Sequence, residues 1–313
     1  MPAARRRVIV DTDAKNEADD QFAVVHALLS PSLDVRGLIA AHFGDRRSDR
    51  SMAESREEID LLLDLMNRTG SVAVADGAPG PIPDERTPVD SAGARLIIDE
   101  SKGPGQLFLA FLGPLTDLAS AILLDPEITR RDVVVIWIGG RGYDHDPTPG
   151  VEFNLGNDIA AANVVFGSGM TVWQVPSTVY TQVSVGYAEL EEKIGGTSAL
   201  ADYLIRQMIE WNDKHHPGPI ESRSLGDSPA IGLMLYPQGG RFRVVPAPRF
   251  GAEGGYLPGS GHPVRVVETF DVRFLLADMF AKIRKFGVTP AAGRPTGYES
   301  APAPRDGSAP PPS

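Results

Sequence analysis

Short, wholly apolar runs alternate along most of the chain with stretches whose apolar residues recur at helical spacing. The first run, residues 7–10, ends abruptly in acids, and 21–29 then carries apolar side chains three and four apart. Residues 33–41 read as a second strand. Residues 48–66 read as a long helix, with Ile59, Leu62, Leu63 and Met66 on one stripe. The same pattern predicts a third strand over 72–75 and a helix over 91–101. Continuous apolar runs follow at 107–112 and 133–138, with a helical stretch at 115–124 between them. Residues 159–166 are helical, 170–175 strand-like, and the region 186–236 is rich in helix. Apolar runs this short, separated by amphipathic helices, predict a parallel sheet covered on both faces. The expected fold class is therefore α/β, a doubly wound, mostly parallel sheet flanked by helices. Such sheets bind ligands beyond the carboxyl ends of their strands, so the residues just after each strand are the place for chemistry.

Composition narrows the function. The 313 residues are 42% apolar and 23% charged, enough for a core of full size without metal or disulfide. We expect one α/β domain over residues 1–288. Residues 289–313 hold seven prolines and almost nothing that fills a core, so a disordered Pro/Ala/Gly-rich tail is expected there. The absence of cysteine removes disulfides, thiolate zinc sites, Fe–S clusters and cysteine nucleophiles. Thirty basic against 41 acidic residues leave a formal charge of −11, which argues against a nucleic-acid partner. No apolar run reaches the ~18 residues of a membrane span. The three arginines before Val8 are followed by only three apolar residues, too few for a signal-peptide core. A cytoplasmic protein without a membrane partner is expected.

The sharpest chemical signal follows the first strand. Val8-Ile9-Val10 runs into Asp11-Thr12-Asp13, then a loop from Ala14 to Ala18 containing Glu17, then Asp19-Asp20 at the start of a helix. A helix cap needs one carboxylate, not four aspartates. Carboxylates this close do not ionise together comfortably unless a cation shares them. Hard oxygen donors in this number suit Ca²⁺ or Mg²⁺.

This arrangement of strand, Asp-x-Asp, loop, Asp-Asp and helix resembles the opening of the inosine–uridine-type nucleoside hydrolases. Further blocks carry the resemblance in order: Gly113-Pro114-Leu115-Thr116-Asp117; Ile138-Gly139-Gly140 with Val151-Glu152-Phe153-Asn154 and Asp158-Ile159-Ala160-Ala161; and Gly226-Asp227-Ser228-Pro229-Ala230 before a late helix. The resemblance implies a Rossmann-like nucleoside hydrolase fold and hydrolysis of the N-glycosidic bond of a ribonucleoside or related riboside to ribose and free base. It implies a Ca²⁺ ion held by Asp13, Asp20, the Leu112 carbonyl and Asp227, with Asp13 also the general base. Asp19, Glu152 and Asn154 are implied to hold the sugar; the two-residue spacing of the last two predicts an extended segment with both side chains on one side. Asp158 and Asp117 read as helix caps. A homo-oligomer, dimer or tetramer, is implied by the family alone.

The chain departs from the family pattern in four places. The loop between Asp13 and Asp19 has five residues where three, including Pro-Gly, are usual. Asp45, in His42-Phe43-Gly44-Asp45, stands where the pattern commonly has Gly-Asn, and Asp146 where it has an Asn that contacts the sugar's primary hydroxyl; acids in place of these amides disfavour a phosphorylated ribose by charge repulsion. Gly226 replaces a histidine that serves as leaving-group acid in part of the family. His215 or His216 is an alternative proton donor, and Trp211 a surface on which a base could stack. Two other readings stay open at this level. Gly226 would also suit a non-catalytic Ca²⁺-dependent riboside binder. Asp11-Thr12-Asp13 also resembles the haloacid-dehalogenase-type phosphatases, although Lys15 stands where that pattern has Thr or Val.

Overall fold

The computed structural model describes residues 5–144 and 150–289. Its first half consists of β1 (Arg6–Thr12), α1 (Asp20–Leu29), β2 (Leu33–Ala40), α2 (Ser51–Leu65) and β3 (Val74–Asp76). The next half-turn of the fold adds α3 (Ala92–Ser101), β4 (Leu107–Phe111), α4 (Thr116–Leu124), β5 (Val133–Ile138), α5 (Phe153–Asn157), α6 (Ile159–Gly167) and β6 (Thr171–Val175). Then come α7 (Ser177–Tyr180), β7 (Ser184–Gly186), α8 (Tyr187–Ile194), α9 (Ala199–His215), β8 (Ser222–Ser224) and α10 (Ser228–Leu235). The described chain closes with β9 (Gly240–Phe250), β10 (Tyr256–Phe270) and α11 (Val272–Val288).

The central sheet has the order β3-β2-β1-β4-β5-β6-β10-β9, parallel throughout except where β9 runs against β10. Alternation along β1 explains why both faces must be covered: Val8 and Val10 pack into one layer, Ile9 into the other. The first layer joins α1, α2 and α9 to α11 through Phe22, Leu62, Met208, Ile231 and Met279. The second joins α3, α4 and α6 around Ile97, Leu118, Trp137 and Phe166. Trp137 is wholly buried, and its truncation to alanine would cost about 3–5 kcal/mol by the usual range for such cavities.

The chain leaves β1 toward β2 and β3, then restarts on the other side of β1 at β4. The order therefore reverses between β1 and β4, and this switch point opens a crevice at their carboxyl ends. Asp13 and Leu112 are the residues that emerge there.

The six parallel strands expected from the apolar runs form within two residues of their predicted ends. The β9–β10 hairpin was not legible, for a physical reason. Pro246, Pro248, Pro258 and Pro263 interrupt its strands, and proline is an argument against a strand unless the strand lies at an edge. Here β9 is that edge. The tail expected from residue 289 onward lies outside the described residues except for Thr289. Among the described residues no helix is long and apolar enough to cross a membrane.

Candidate functional site

Strand β1 delivers Thr12 and Asp13 to the switch point, and α1 starts again at Asp20. The Thr12 hydroxyl donates to Asp20 Oδ1 at 2.5 Å, fixing that carboxylate at the first turn of the helix. The intervening loop is held from several directions. Gln21 Nε2 donates to the Ala14 carbonyl at 2.5 Å, Gln207 Nε2 to Ala18 at 3.0 Å, and Trp211 Nε1 to Asn16 at 3.1 Å. The longer loop is thus an ordered wall. Asp19 precedes α1 yet makes no capping bond, so capping does not account for these acids. Gly113, just after β4, completes the approach: a Cβ there would lie 2.9 Å from Asp13 Oδ1. Only glycine lets the two strand ends meet.

Asp13, Asp19, Asp20 and Asp227 line one cavity of about 80 Å³ at this point, together with Leu112, Glu152 and Asn154. Carboxylate oxygens of Asp19, Asp20 and Asp227 lie within 4.8 Å of one another. Asp13 is not in that closest set, but its Oδ2 is buried with no hydrogen-bond partner. Burial is the leading cause that pushes all four acids up. Asp19 rises to about 7, with Glu17 as the next cause, and Asp20 to about 6. Asp13 and Asp227 rise well above the ordinary carboxylate range, helped by Asp20 and Asp19 respectively. Negative charge packed this densely away from water fits a hard divalent cation. The Leu112 carbonyl accepts from Asn154 Nδ2 at 2.6 Å and keeps a second lone pair.

The segment carrying Glu152 and Asn154 corrects the extended geometry that their spacing predicts. Glu152 caps the short helix α5, accepting from the amides of Asn154 and Leu155 at 3.2 and 3.0 Å and from Gly140 at 2.7 Å. Asn154 sits in the first turn and bridges the carbonyls of Leu112 and Ile138, tying β4 to β5. The amides that Glu152 must satisfy favour a helix start over a strand. Asp158 does cap α6, through the Ala161 amide at 2.8 Å. Asp117 does not cap; it is buried and accepts from Ser91 Oγ and from the Ala78 amide at 3.1 Å.

Tyr180, which the sequence reading passed over, also lines the cavity and donates to Glu152 Oε1 at 2.9 Å. A Cβ at Gly226 would come within 3.0 Å of its ring and 3.3 Å of Asp19 Oδ2, so the ring stands where a side chain at 226 would project. The signal for it was positional: Tyr180 follows the carboxyl end of β6 by five residues.

An outer cavity of about 750 Å³ adjoins the first and shares Asn16 and Glu17 as a common wall. Trp211 and His215 line this outer space. His215 stacks on Trp211 at 4.1 Å, and the Arg223 guanidinium lies 3.9 Å from the indole. His216 meets the same ring edge-on at 6.0 Å and lines neither cavity. Asp45 is exposed and borders a separate recess with Ser48 and Asp49. Asp146 lies outside the described residues. Asp11 is 1% exposed and lines neither cavity, so it is not presented as the nucleophile that a phosphatase would need.

Similarity to known proteins agrees with this geometry. The "Probable uridine nucleosidase 2" of Arabidopsis thaliana is 28% identical over 232 residues, covering 67% of this chain and 71% of the relative. The pyrimidine-specific ribonucleoside hydrolase RihA of Salmonella newport is 29% identical over 223 residues, covering 63% and 69%. Among solved structures, the purine-preferring ribonucleoside hydrolase from Gardnerella vaginalis superposes with a TM-score of 0.75 at 20% identity, covering 90% of this chain and 99% of that one. At that identity the superposition speaks for the fold alone. The model of the inosine-uridine preferring nucleoside hydrolases matches residues 8–275. A chain matched over most of its length, with its acids gathered at the switch point, belongs to that family and is an N-glycosyl hydrolase.

Proposed function

We propose that this protein hydrolyses ribonucleosides to ribose and free base with the help of Ca²⁺. One observation carries the reading: carboxylates from both ends of the chain, Asp19 and Asp20 with Asp227, gather within 4.8 Å of one another at the carboxyl edge of the sheet. All-oxygen donors of this kind suit Ca²⁺ better than a transition metal. Asp13, Asp20, Asp227 and the Leu112 carbonyl would hold the ion. When bound, such an ion supplies positive charge that anchors a sugar diol and lowers the pKa of adjacent water.

The chain's own groups do the rest. Asp13, with one oxygen unpartnered, accepts the proton of the attacking water as general base. Asp19, Glu152 and Asn154 orient the ribose. Glu152 and Asn154 are themselves fixed by the hydrogen bonds to the β4, β5 and α5 backbone, which keeps the ordering cost of substrate binding low. Carboxylates around the sugar favour the oxocarbenium-like charge that develops as the glycosidic bond breaks. Trp211 and His215 border the space left for the base.

The test is sugar release from uridine and inosine by chelator-treated protein, with and without added Ca²⁺. Reducing sugar should appear on adding Ca²⁺ and stay absent without it. No release from either nucleoside, or release indifferent to chelation, would overturn the proposal.

A further inference from the structure

The walls of the inner cavity hold six carboxylates, two side-chain amides and the Tyr180 hydroxyl, but no lysine, arginine or histidine. Gly226 offers no side chain, and Tyr180 already donates to Glu152. A base leaving the sugar therefore meets no histidine and no cationic side chain of the protein at this end. A cation stands at the mouth instead. Arg47, in the loop between β2 and α2, lines the outer cavity and donates through Nη1 to the Asn16 carbonyl at 2.8 Å and to the Asn16 side chain. Its guanidinium lies 4.9 Å from the Phe153 ring and 5.7 Å from Trp211. Asn16 and Phe153 belong to the inner wall, Trp211 to the outer one. The guanidinium thus sits at the boundary between the two cavities.

Its charge is only partly neutralised. Glu17 lies 3.6 Å from Nη2, but that same carboxylate is bonded to Arg223. Of the other basic side chains bordering the outer cavity, Lys15 is paired with the buried Glu58 at 2.7 Å, and Lys214 and His215 are exposed toward the end of α9. The Arg47 side chain is 36% exposed, so a ligand can reach it.

We infer that Arg47 is a catalytic residue that stabilises the departing nucleobase as an anion, in place of a leaving-group acid. The inference rests on the nucleosidase reading and names how its leaving group goes. The C1′–N bond breaks with its electron pair moving onto the base, and the water oxygen bonds to C1′. The proton of that water passes to the Asp13 carboxylate and neutralises the base after release. An arginine stays charged at any working pH and cannot act as the acid; its N–H groups instead offset the negative charge growing on a ring nitrogen or carbonyl oxygen of the base.

The experiment compares uridine with 4-nitrophenyl β-D-ribofuranoside, whose nitrophenolate needs no help to leave, in wild type, Arg47→Ala and Arg47→Lys. Arg47→Ala should lower kcat on uridine by roughly 10²-fold, the usual scale for one charge-stabilising donor, and change the nitrophenyl riboside by less than about threefold. Arg47→Lys should recover part of the loss. Retained nitrophenyl activity reports that the variant is folded. An equal loss on both substrates would place Arg47 on the sugar or the fold, and no loss on uridine would remove it from the reaction; either overturns the inference alone. If wild type hydrolyses neither substrate, the nucleosidase reading falls and the inference with it.

Discussion

Apart from half-buried Glu17, the acids that wall the inner cavity are no more than 9% exposed, whereas Glu210, Lys214 and His215 on the rim of the outer one are exposed. Inside, Glu152 is held by three backbone amides, Asn154 by two backbone carbonyls and Asp20 by the Thr12 hydroxyl. Outside, ring and guanidinium contacts between side chains join such bonds, as where His215 and Arg223 meet Trp211. The rigid end suits recognition of one invariant moiety, the ribose. The open end suits adaptation to different bases. Fixed charge and adaptable stacking should fail differently when disturbed.

The largest effect belongs to the inner end. Asp227→Asn keeps the shape but removes one carboxylate from the closest set, and kcat/KM should fall by about 10³-fold or more, with loss of the thermal shift produced by Ca²⁺. A variant that retained both would leave the two ends without the distinction drawn here. At the outer end, Trp211→Ala removes a ring that also steadies the loop through Asn16. Its main effect should be on KM, roughly tenfold or less given what one aromatic contact contributes, with kcat changed little. A collapse of kcat comparable to that of Asp227→Asn would make the outer end part of the rigid machinery.

The smallest effect serves as a control away from both cavities. Buried His26 contacts Asp278 at 2.7 Å, and Lys282 bonds Asp278 at 2.5 Å and Ser30 at 2.9 Å, clamping α11 to α1. Burial holds the His26 pKa below its ordinary 6.5. A lowered folded-state value means that the neutral form is favoured in the fold, so this contribution is present above 6.5 and is lost as pH falls below it. Melting temperatures measured from pH 7 down to pH 5 should therefore drop less in His26→Gln than in wild type. An identical acid limb in the two proteins would contradict this.

Much of this architecture was legible because β1, β4, β5 and β6 are buried on both faces along most of their length, and burial on both faces writes an uninterrupted apolar run. The hairpin β9–β10 has one edge in solvent and four prolines, so the same code does not apply to it. In the site, Asp13, Asp19 and Asp20 announce themselves by crowding after a strand, whereas Leu112 was implied by the resembling Gly-Pro block alone. Asp227 was found only through a resembling motif, since a lone acid before a helix reads equally well as a cap. Arg47 carried no local signal of type or spacing, and Tyr180 only its place after β6. Their positions depend on how α7 and the β2–α2 loop fold back over the crevice, which is tertiary information. Asp45 shows the converse: motif spacing pointed to the sugar, yet its side chain borders a different recess.

The central claim is tested most directly by a crystal structure of the protein with Ca²⁺ and ribose. The account predicts one ion among Asp13, Asp20, Asp227 and the Leu112 carbonyl at about 2.3–2.6 Å, with the ribose hydroxyls completing its shell. Density for ribose without an ion there, or an ion bound elsewhere with these carboxylates apart, would contradict it.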